Sequence, residues 1–282
     1  MNHAVNAVRI GLLRGWTTFR ILITTADGIG NTVFWNAIPV VFLILNRDAS
    51  VEGIPLSFAA LALPGFLGIT VAAAAYGPAY YIAAEREDGT LLRAKAVPHG
   101  LFAYVTGVLT MSVLETLVSI VVLLGVGFAL FDGIRIPDPL GWLLLAAVTV
   151  LALLATMPLG VIIGSVIKSP RLIGGVGLLV IGGMTVVSGI FIPLQAFPGW
   201  LQVLAQALPP YWAGMGMRAA LLPPEAAAWE LTESWRFAEM FGVLGVWAVV
   251  GALIAPVVLK RMARRATGSS LEANRQQALQ RM

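Results

Sequence analysis

Long apolar runs separated by short polar segments dominate the pattern of this chain. A membrane-spanning helix needs about 20 predominantly apolar residues. Runs of that order occupy 29–45, 58–84, 101–131, 140–167, 172–192 and 237–259. The polar and charged residues fall mainly in the connections between them. The pattern therefore predicts an all-α integral membrane protein with six transmembrane helices.

The first 28 residues show a different pattern, because apolar residues recur there at helical spacing with arginines between them. The apolar positions are Val5, Val8, Leu12, Trp16, Phe19 and Ile23, and the arginines are Arg9, Arg14 and Arg20. A basic amphipathic helix of this kind lies in the membrane interface. We expect an interfacial helix over 1–28, and the alternative is an amphipathic helix that packs on the rest of the protein.

Residues 193–236 do not form a simple span. Two apolar pieces of about 12 residues each, 197–208 and 211–222, are too short to cross a bilayer. Six prolines bracket them: Pro193, Pro198, Pro209, Pro210, Pro223 and Pro224. Because proline ends helices, we expect a re-entrant helical hairpin that enters from the outer side, with a folded surface loop as the alternative. The six-span domain then covers 29–265, and a polar cytoplasmic tail covers 266–282.

Composition supports the membrane class and narrows the chemistry. The chain is 59% hydrophobic and only 11% charged, whereas soluble domains carry about 25% charged residues. It has no cysteine, and its two histidines, His3 and His99, lie far apart. These features exclude a disulfide framework and a cysteine-based metal site. We expect neither a bound metal nor nucleic-acid binding.

The distribution of basic residues predicts the orientation. With six spans, one face of the membrane holds only Arg47, Arg135, Arg218 and Arg236. The other face holds Arg9, Arg14, Arg20, Arg86, Arg93, Lys95, Lys168, Arg171, Lys260, Arg261, Arg264, Arg265, Arg275 and Arg281. Lys and Arg accumulate on the cytoplasmic side. We therefore expect a multi-pass protein of the cell inner (plasma) membrane with both termini in the cytoplasm.

A charged segment at 85–98 connects the second and third predicted spans on the cytoplasmic side. Its acidic residues come first and its basic residues last, an order that suits a short helix and its dipole. Gly89 should break or bend that helix, and Pro98 closes the segment. Composition alone leaves two alternatives, a solvated connector and a docking site for a soluble partner.

The same segment resembles the cytoplasmic loop of the ABC type-2 exporter permeases. The residues that carry the resemblance are Glu85, Arg86, Glu87, Asp88, Gly89, Thr90, Leu91, Arg93 and Pro98. The proline-rich stretch from Ile192 to Pro209 is also similar to the outer region of that family. The resemblance implies that 85–98 forms a coupling helix for a separate ABC ATPase subunit, which binds ATP and Mg.

The resemblance also implies a function. Family members work as homodimers or with a related permease, contact membrane lipid, and export drugs, antibiotics or lipid-like compounds. Drug efflux and antibiotic resistance are therefore expectations for this chain. It has no Gly-Lys pair and hence no phosphate-binding loop, so we expect no cofactor and no ATPase activity of its own.

Glu115 is the one acidic residue well inside a predicted span. An ionisable residue at that depth usually faces protein or a cavity, so Glu115 is a candidate for the translocation path. A structural hydrogen bond between helices is the alternative. Glu115 also permits a competing function, an ion-coupled secondary transporter. A membrane scaffold and an intramembrane enzyme are a third class, although no catalytic constellation is present.

Glycines mark positions where helices approach closely, because small residues let backbones come into contact. The candidates for helix packing or for a dimer contact are Gly160, Gly164, Gly175, Gly182 and Gly183. Internal packing and a dimer seam both remain open for them at this point.

Overall fold

The computed structural model describes residues 3–51, 54–131, 134, 137–167, 169–189 and 192–265, and these form a bundle of helices with one small hairpin. The helices are α1 (His3–Thr24), α2 (Ala26–Leu45), α3 (Phe58–Ala73), α4 (Tyr76–Glu87), α5 (Thr90–Lys95), α6 (Gly100–Leu130), α7 (Pro139–Val166), α8 (Pro170–Val187), α9 (Gly199–Ala207), α10 (Pro209–Leu221) and α11 (Phe237–Arg265). Strands β1 (Ser50–Val51) and β2 (Ile54–Ser57) pair antiparallel between α2 and α3. The predicted tail at 266–282 lies outside the described residues.

Five helical stretches of the described chain are long and apolar enough to cross a membrane. They are Ala26–Leu45, Phe58–Glu87, Gly100–Leu130, Pro139–Val166 and Phe237–Arg264. The remaining predicted run, the fifth at 172–192, corresponds to α8, which has 18 residues and a shorter apolar part, Pro170–Met184. The helical membrane class is therefore confirmed with five spanning stretches, and the sixth span stays a prediction.

Polar residues in the connections set where several helices begin. Ser57, Asp138 and Ser169 each accept a hydrogen bond from the backbone N–H three residues further on, at 3.2, 2.7 and 3.4 Å. Proline follows Asp138 and Ser169 at the first helical position, where its missing N–H costs nothing. These caps start α3, α7 and α8 close to the predicted boundaries.

The two short proline-bounded helices, α9 and α10, meet at Leu208, and α10 lies inside the bundle. Gly214 of α10 is in close backbone contact with Gly68 of α3. A Cβ atom at Gly216 would lie 2.7 Å from Val148 of α7 and 2.6 Å from Met240 of α11. The second apolar piece is thus enclosed by three long helices and is not a surface loop. That it re-enters a membrane stays a prediction.

The long helices run in alternating directions. A Cβ atom at Gly164 of α7 would lie 2.5 Å from the Ala79 carbonyl oxygen, and Gly160 meets the Ala75 carbonyl oxygen still more closely. Residue numbers therefore rise together along α7 and along the stretch Phe58–Glu87, which contains α3 and α4 and is called the α3–α4 path below. The two run parallel. In contrast, α6 meets this path with Gly127 near Leu63 and Gly77 near Ser112, which is an antiparallel arrangement.

Helix α1 packs along the first part of α6 through a pair of glycines. A Cβ atom at Gly11 would lie 2.7 Å from the Ala103 carbonyl oxygen, and one at Gly15 would lie 2.6 Å from that of Gly107. The outward face of α1 remains apolar, with Ile10, Leu13 and Trp16 about half exposed. The Gly11-x-x-x-Gly15 spacing was a sequence signal for this contact. Placement of α1 in a membrane interface stays a prediction.

A buried ion pair joins α10 to the loop before α11. Arg218 Nε donates to Glu230 Oε1 at 2.6 Å, and the Tyr211 hydroxyl donates to Glu230 Oε2 at 3.0 Å. Both charged side chains are 1% exposed. Burial and the neighbouring Glu230 carboxylate raise the pKa of Tyr211, so its hydroxyl keeps the proton that it donates. Sequence reasoning assigned no role to this cluster, although an arginine within an otherwise apolar piece was a signal for it.

Removal of Arg218 should destabilise the protein strongly. In Arg218→Met the Glu230 carboxylate stays buried without its charge partner, and breaking a buried pair in this way costs about 3–5 kcal/mol. Unfolding of the purified protein in mild detergent, titrated with a denaturing detergent, measures the loss.

The matched control is Arg47→Met, since Arg47 pairs with Asp48 while both side chains are exposed (63% and 89%). Exposed pairs contribute about 0–1 kcal/mol, so this variant should unfold like the parent protein. Equal unfolding of the Arg218 and Arg47 variants would contradict a structural role for the buried pair.

Candidate coupling site between α4 and α6

The segment 85–98 contains the end of α4 and a separate short helix, α5. Helix α4 ends at Glu87, and Gly89 has a left-handed backbone with φ of 84°. Non-glycine residues adopt that conformation at a cost. The Asp88 side chain accepts a hydrogen bond from the Thr90 N–H at 2.8 Å and so stabilises the start of α5. The bend expected at Gly89 is therefore a full break between two helices.

Leu91 attaches α5 to the rest of the bundle. Its side chain is 1% exposed. It belongs to a buried cluster whose members come from α4, α6, α7 and α11: Ile82, Tyr104, Val108, Val161, Ala255, Leu259 and Met262. Burial of one leucine side chain contributes about 1.5–3 kcal/mol. Leu91, together with Ala94, thus attaches the short helix to a cluster formed by α4, α6, α7 and α11.

Two of the predicted coupling residues, Glu85 and Arg86, make contacts within the chain. Arg14 of α1 donates to Glu85 Oε2 at 2.8 Å, and its guanidinium also lies 4.8 Å from the centre of the Tyr104 ring. Arg86 Nη1 donates to the Ser165 carbonyl oxygen at 3.2 Å, near the end of α7. These two side chains therefore hold the end of α4 between α1 and α7. Neither partner was predicted from the sequence.

The exposed part of the segment carries most of the remaining charge. Glu87, Asp88, Arg93 and Lys95 are exposed, and Arg93 Nη2 donates to the Thr90 hydroxyl at 3.0 Å. Pro98 is also exposed, beside His99, whose φ is 57°. Three basic residues of α11 are exposed as well, Lys260, Arg261 and Arg264. The segment thus presents a charged surface, while the buried Leu91 side chain attaches its helix, α5, to the bundle.

Glu115 lies in the middle of α6 and is half-buried. Within the described residues it has no hydrogen bond and no ion pair, and it interacts electrostatically with Tyr81 of α4. Two nearby polar residues of α6, Thr116 and Ser119, have hydrogen-bond partners of their own. The Thr116 hydroxyl donates to the Ser112 carbonyl oxygen at 2.8 Å, and Ser119 accepts from Asn36 Nδ2 at 3.1 Å.

The candidate glycines fall into two groups. Gly160 and Gly164 are buried in contact with the α3–α4 path, as described above. Gly175, Gly182 and Gly183 of α8 are exposed, and a Cβ atom at each would meet no described atom within 4 Å. Gly160 and Gly164 therefore pack helices within one chain. The three glycines of α8 instead lie on a face of that helix that is exposed in the described structure.

Among the described residues, no group of three or more histidine, cysteine, aspartate or glutamate side chains is placed to hold a metal ion.

The helices and the connecting segment define the class of the protein as a polytopic helical membrane protein with a short charged helix between two spanning stretches. The family model for the ABC-2 type transporter matches residues 5–222, and the chain belongs to that family. The match includes every helix from α1 to α10. A search of the curated proteins found no match to the chain.

Membership of this family establishes the general class of function, which is that of a membrane permease. ABC-2 domains are membrane permeases of ABC transporters and are not the catalytic subunits. Such permeases normally work with an ABC ATPase subunit. The resemblance noted from the segment 85–98 is therefore confirmed at the level of the family.

Shortening Leu91 should release α5 from the bundle. Leu91→Ala leaves a cavity in a closed cluster, and such changes cost about 2–5 kcal/mol. Because Arg93 and Lys95 are exposed trypsin sites, cleavage at them reports how often the segment opens. We expect trypsin to cut the variant at these sites on the order of 10-fold faster than the parent protein.

Val97→Ala is the control for this experiment, since Val97 belongs to the same segment and is 60% exposed. Its cleavage rate should match that of the parent protein. If Leu91→Ala were cleaved no faster than Val97→Ala, Leu91 would not be the anchor of α5.

Proposed function

We propose that this chain is the permease subunit of an ABC exporter. It moves a hydrophobic or amphiphilic compound, drug-like, antibiotic-like or lipid-like, out of the cytoplasm or the inner leaflet. A separate ATPase subunit, which binds ATP and Mg, drives the transport. The observation that carries the proposal is the position of α5, which is exposed and charged on one side and anchored by Leu91 on the other.

The anchoring supports a lever mechanism. A movement imposed on α5 by a bound ATPase reaches α4, α6, α7 and α11 through the Leu91 cluster. The same movement reaches α1 through the Arg14–Glu85 pair and the end of α7 through Arg86. Packed interiors respond as discrete units because they are not freely deformable. The segment is therefore suited to convert ATPase closure into rearrangement of the spans.

The proposed arrangement in the membrane has six spans, with α8 as the fifth and α9–α10 as an outer re-entrant hairpin. Helix direction supports this count, because Gly251 lies near Pro158 and Gly216 lies near both Val148 and Met240, so α7 and α11 run parallel. Two parallel spans need one further crossing between them, and α8 lies there in the chain. The distribution of Lys and Arg supports cytoplasmic termini and the inner membrane. The enclosed position of α10 supports the hairpin.

We further propose that the permease works as a dimer, either with a second copy or with a related permease. The open face of α8 with its three exposed glycines supports this. So does the exposed apolar surface of α2, which includes Val33, Phe34 and Trp35. Membrane lipid covers the apolar surface that the dimer leaves exposed.

Recovery of the ATPase partner tests the exporter function directly. The tagged chain, extracted from native membranes in mild detergent, should co-purify with an ABC ATPase and with ATP hydrolysis. Glu87→Lys reverses an exposed charge on the coupling segment, and like charges brought together at an interface cost several kcal/mol. We expect this variant to recover at least about 10-fold less ATPase.

The control is Glu225→Lys, the same charge reversal at an exposed residue of the outer loop. It should recover the ATPase as the parent does. The competing function, an ion-coupled carrier using Glu115, predicts that no ATPase is recovered under any gentle extraction. It also predicts that transport follows a proton gradient in vesicles, and that result would replace the exporter proposal.

Gly89→Pro tests the lever itself. Proline fixes φ near −65°, whereas Gly89 requires a φ of 84°, so α5 must change its direction. The variant should insert and bind the ATPase, yet ATP-dependent accumulation of amphiphilic dyes in inside-out vesicles should fall to near background. Normal accumulation by a well-expressed Gly89→Pro variant would rule out the lever role.

A further inference from the structure

Three side chains of α4 and α6 converge around Gly77: Tyr81, Ser112 and Glu115. A Cβ atom at Gly77 would lie 2.6 Å from the Ser112 hydroxyl oxygen and 4.0 Å from the Tyr81 ring. The two helices are antiparallel, and helical side chains lean towards the N-terminus of their own helix. Tyr81 and Glu115 therefore lean towards each other across Gly77, in agreement with their electrostatic interaction.

Aromatic rings continue from this point along α4. The Tyr80 and Tyr81 rings lie 6.0 Å apart at 80°, and the Tyr76 and Tyr80 rings lie 6.0 Å apart at 20°. Tyr80 is 39% exposed. Three tyrosine rings thus form a continuous aromatic surface that starts at a carboxylate and ends at the outside of the chain.

The polar atoms at the inner end of this surface lack partners. The Ser112 hydroxyl is buried without a hydrogen-bond partner in the described structure. Glu115 has neither a hydrogen bond nor an ion pair among the same residues. An acid inside a membrane protein is costly and usually has a functional partner, and an unsatisfied buried hydroxyl costs about 1–3 kcal/mol. The Glu115 carboxylate would gain from a ligand that brings a positive charge.

From this juxtaposition we propose that Tyr76, Tyr80, Tyr81, Ser112 and Glu115 form a binding site for lipophilic organic cations. The proposal rests on the proposed transport function and names its substrate class. Aromatic faces attract cations, and the Glu115 carboxylate supplies the opposite charge in a region of low dielectric. The apolar surroundings accept the hydrocarbon part of the ligand, while an anion of the same shape would be repelled.

Two probes of equal shape and opposite charge test the proposal. The purified chain in phosphatidylcholine nanodiscs is titrated with tetraphenylphosphonium and with tetraphenylborate, and empty nanodiscs give the partition of each probe into lipid. We expect saturable binding of the cation alone. Equal binding of both probes would overturn the proposal, because it would show apolar partition without a charge-selective site.

Variants locate the site. Glu115→Gln should weaken cation binding about 10-fold to 100-fold, because it removes the opposite charge that attracts the cation in a region of low dielectric. Glu115→Asp keeps the charge and should retain most of the binding. Glu225→Gln removes an exposed acid from the outer loop and should change nothing. Unaltered binding in a folded Glu115→Gln variant would overturn the assignment.

Variants of the tyrosines distinguish the contribution of the aromatic ring to cation binding from that of the hydroxyl group. Tyr81→Phe keeps the aromatic face and should bind the cation as the parent does, whereas Tyr81→Leu should weaken binding about 2-fold to 30-fold. Tyr80→Leu, at a more exposed position, provides a second test where the Tyr81 variant fails to fold. Because this assay uses the chain without an ATPase, it can fail while the ATPase pull-down succeeds, and the reverse also holds.

Discussion

Close backbone contact at small residues is the constraint on which the rest of this structure depends. In a membrane, burial of apolar surface contributes little to the association of helices. How closely two helices can approach therefore determines how strongly they associate. Gly160 and Gly164 bring α7 against the Ala75 and Ala79 carbonyl groups, and Gly68 brings α3 against Gly214 of α10. A side chain at any of these positions would separate the helices that carry the coupling segment and the tyrosines.

Sequence reasoning predicted the elements better than their contacts. Apolar runs located five spanning stretches, and proline pairs located α9 and α10, because these signals are local. The partners of Glu85 and Arg86 could not be predicted, since Arg14 and Ser165 lie more than 70 residues away in the chain. Leu91 was named as part of a motif, but its burial depends on how four distant helices meet.

The charged segment and the polar interior use charge in different ways. At 85–98, Glu87, Asp88, Arg93 and Lys95 face outwards, where water reduces the cost of each charge, and they are available to a soluble subunit. In the interior, Arg218 and Glu230 neutralise each other, whereas Glu115 does not have a charged partner in the described structure. The paired acid, Glu230, stabilises the fold, whereas the unpaired acid, Glu115, is the one for which we propose a ligand-binding role.

The Arg14–Glu85 contact has a consequence for the order in which the chain matures. Glu85 is synthesised 71 residues after Arg14, and ribosomes add about 5–20 residues per second. For roughly 4–14 s after its own synthesis, α1 therefore exists without its acidic partner, and without Gly107 for longer still. During biogenesis α1 is therefore complete before either of its contacts, with the end of α4 and with α6, can form.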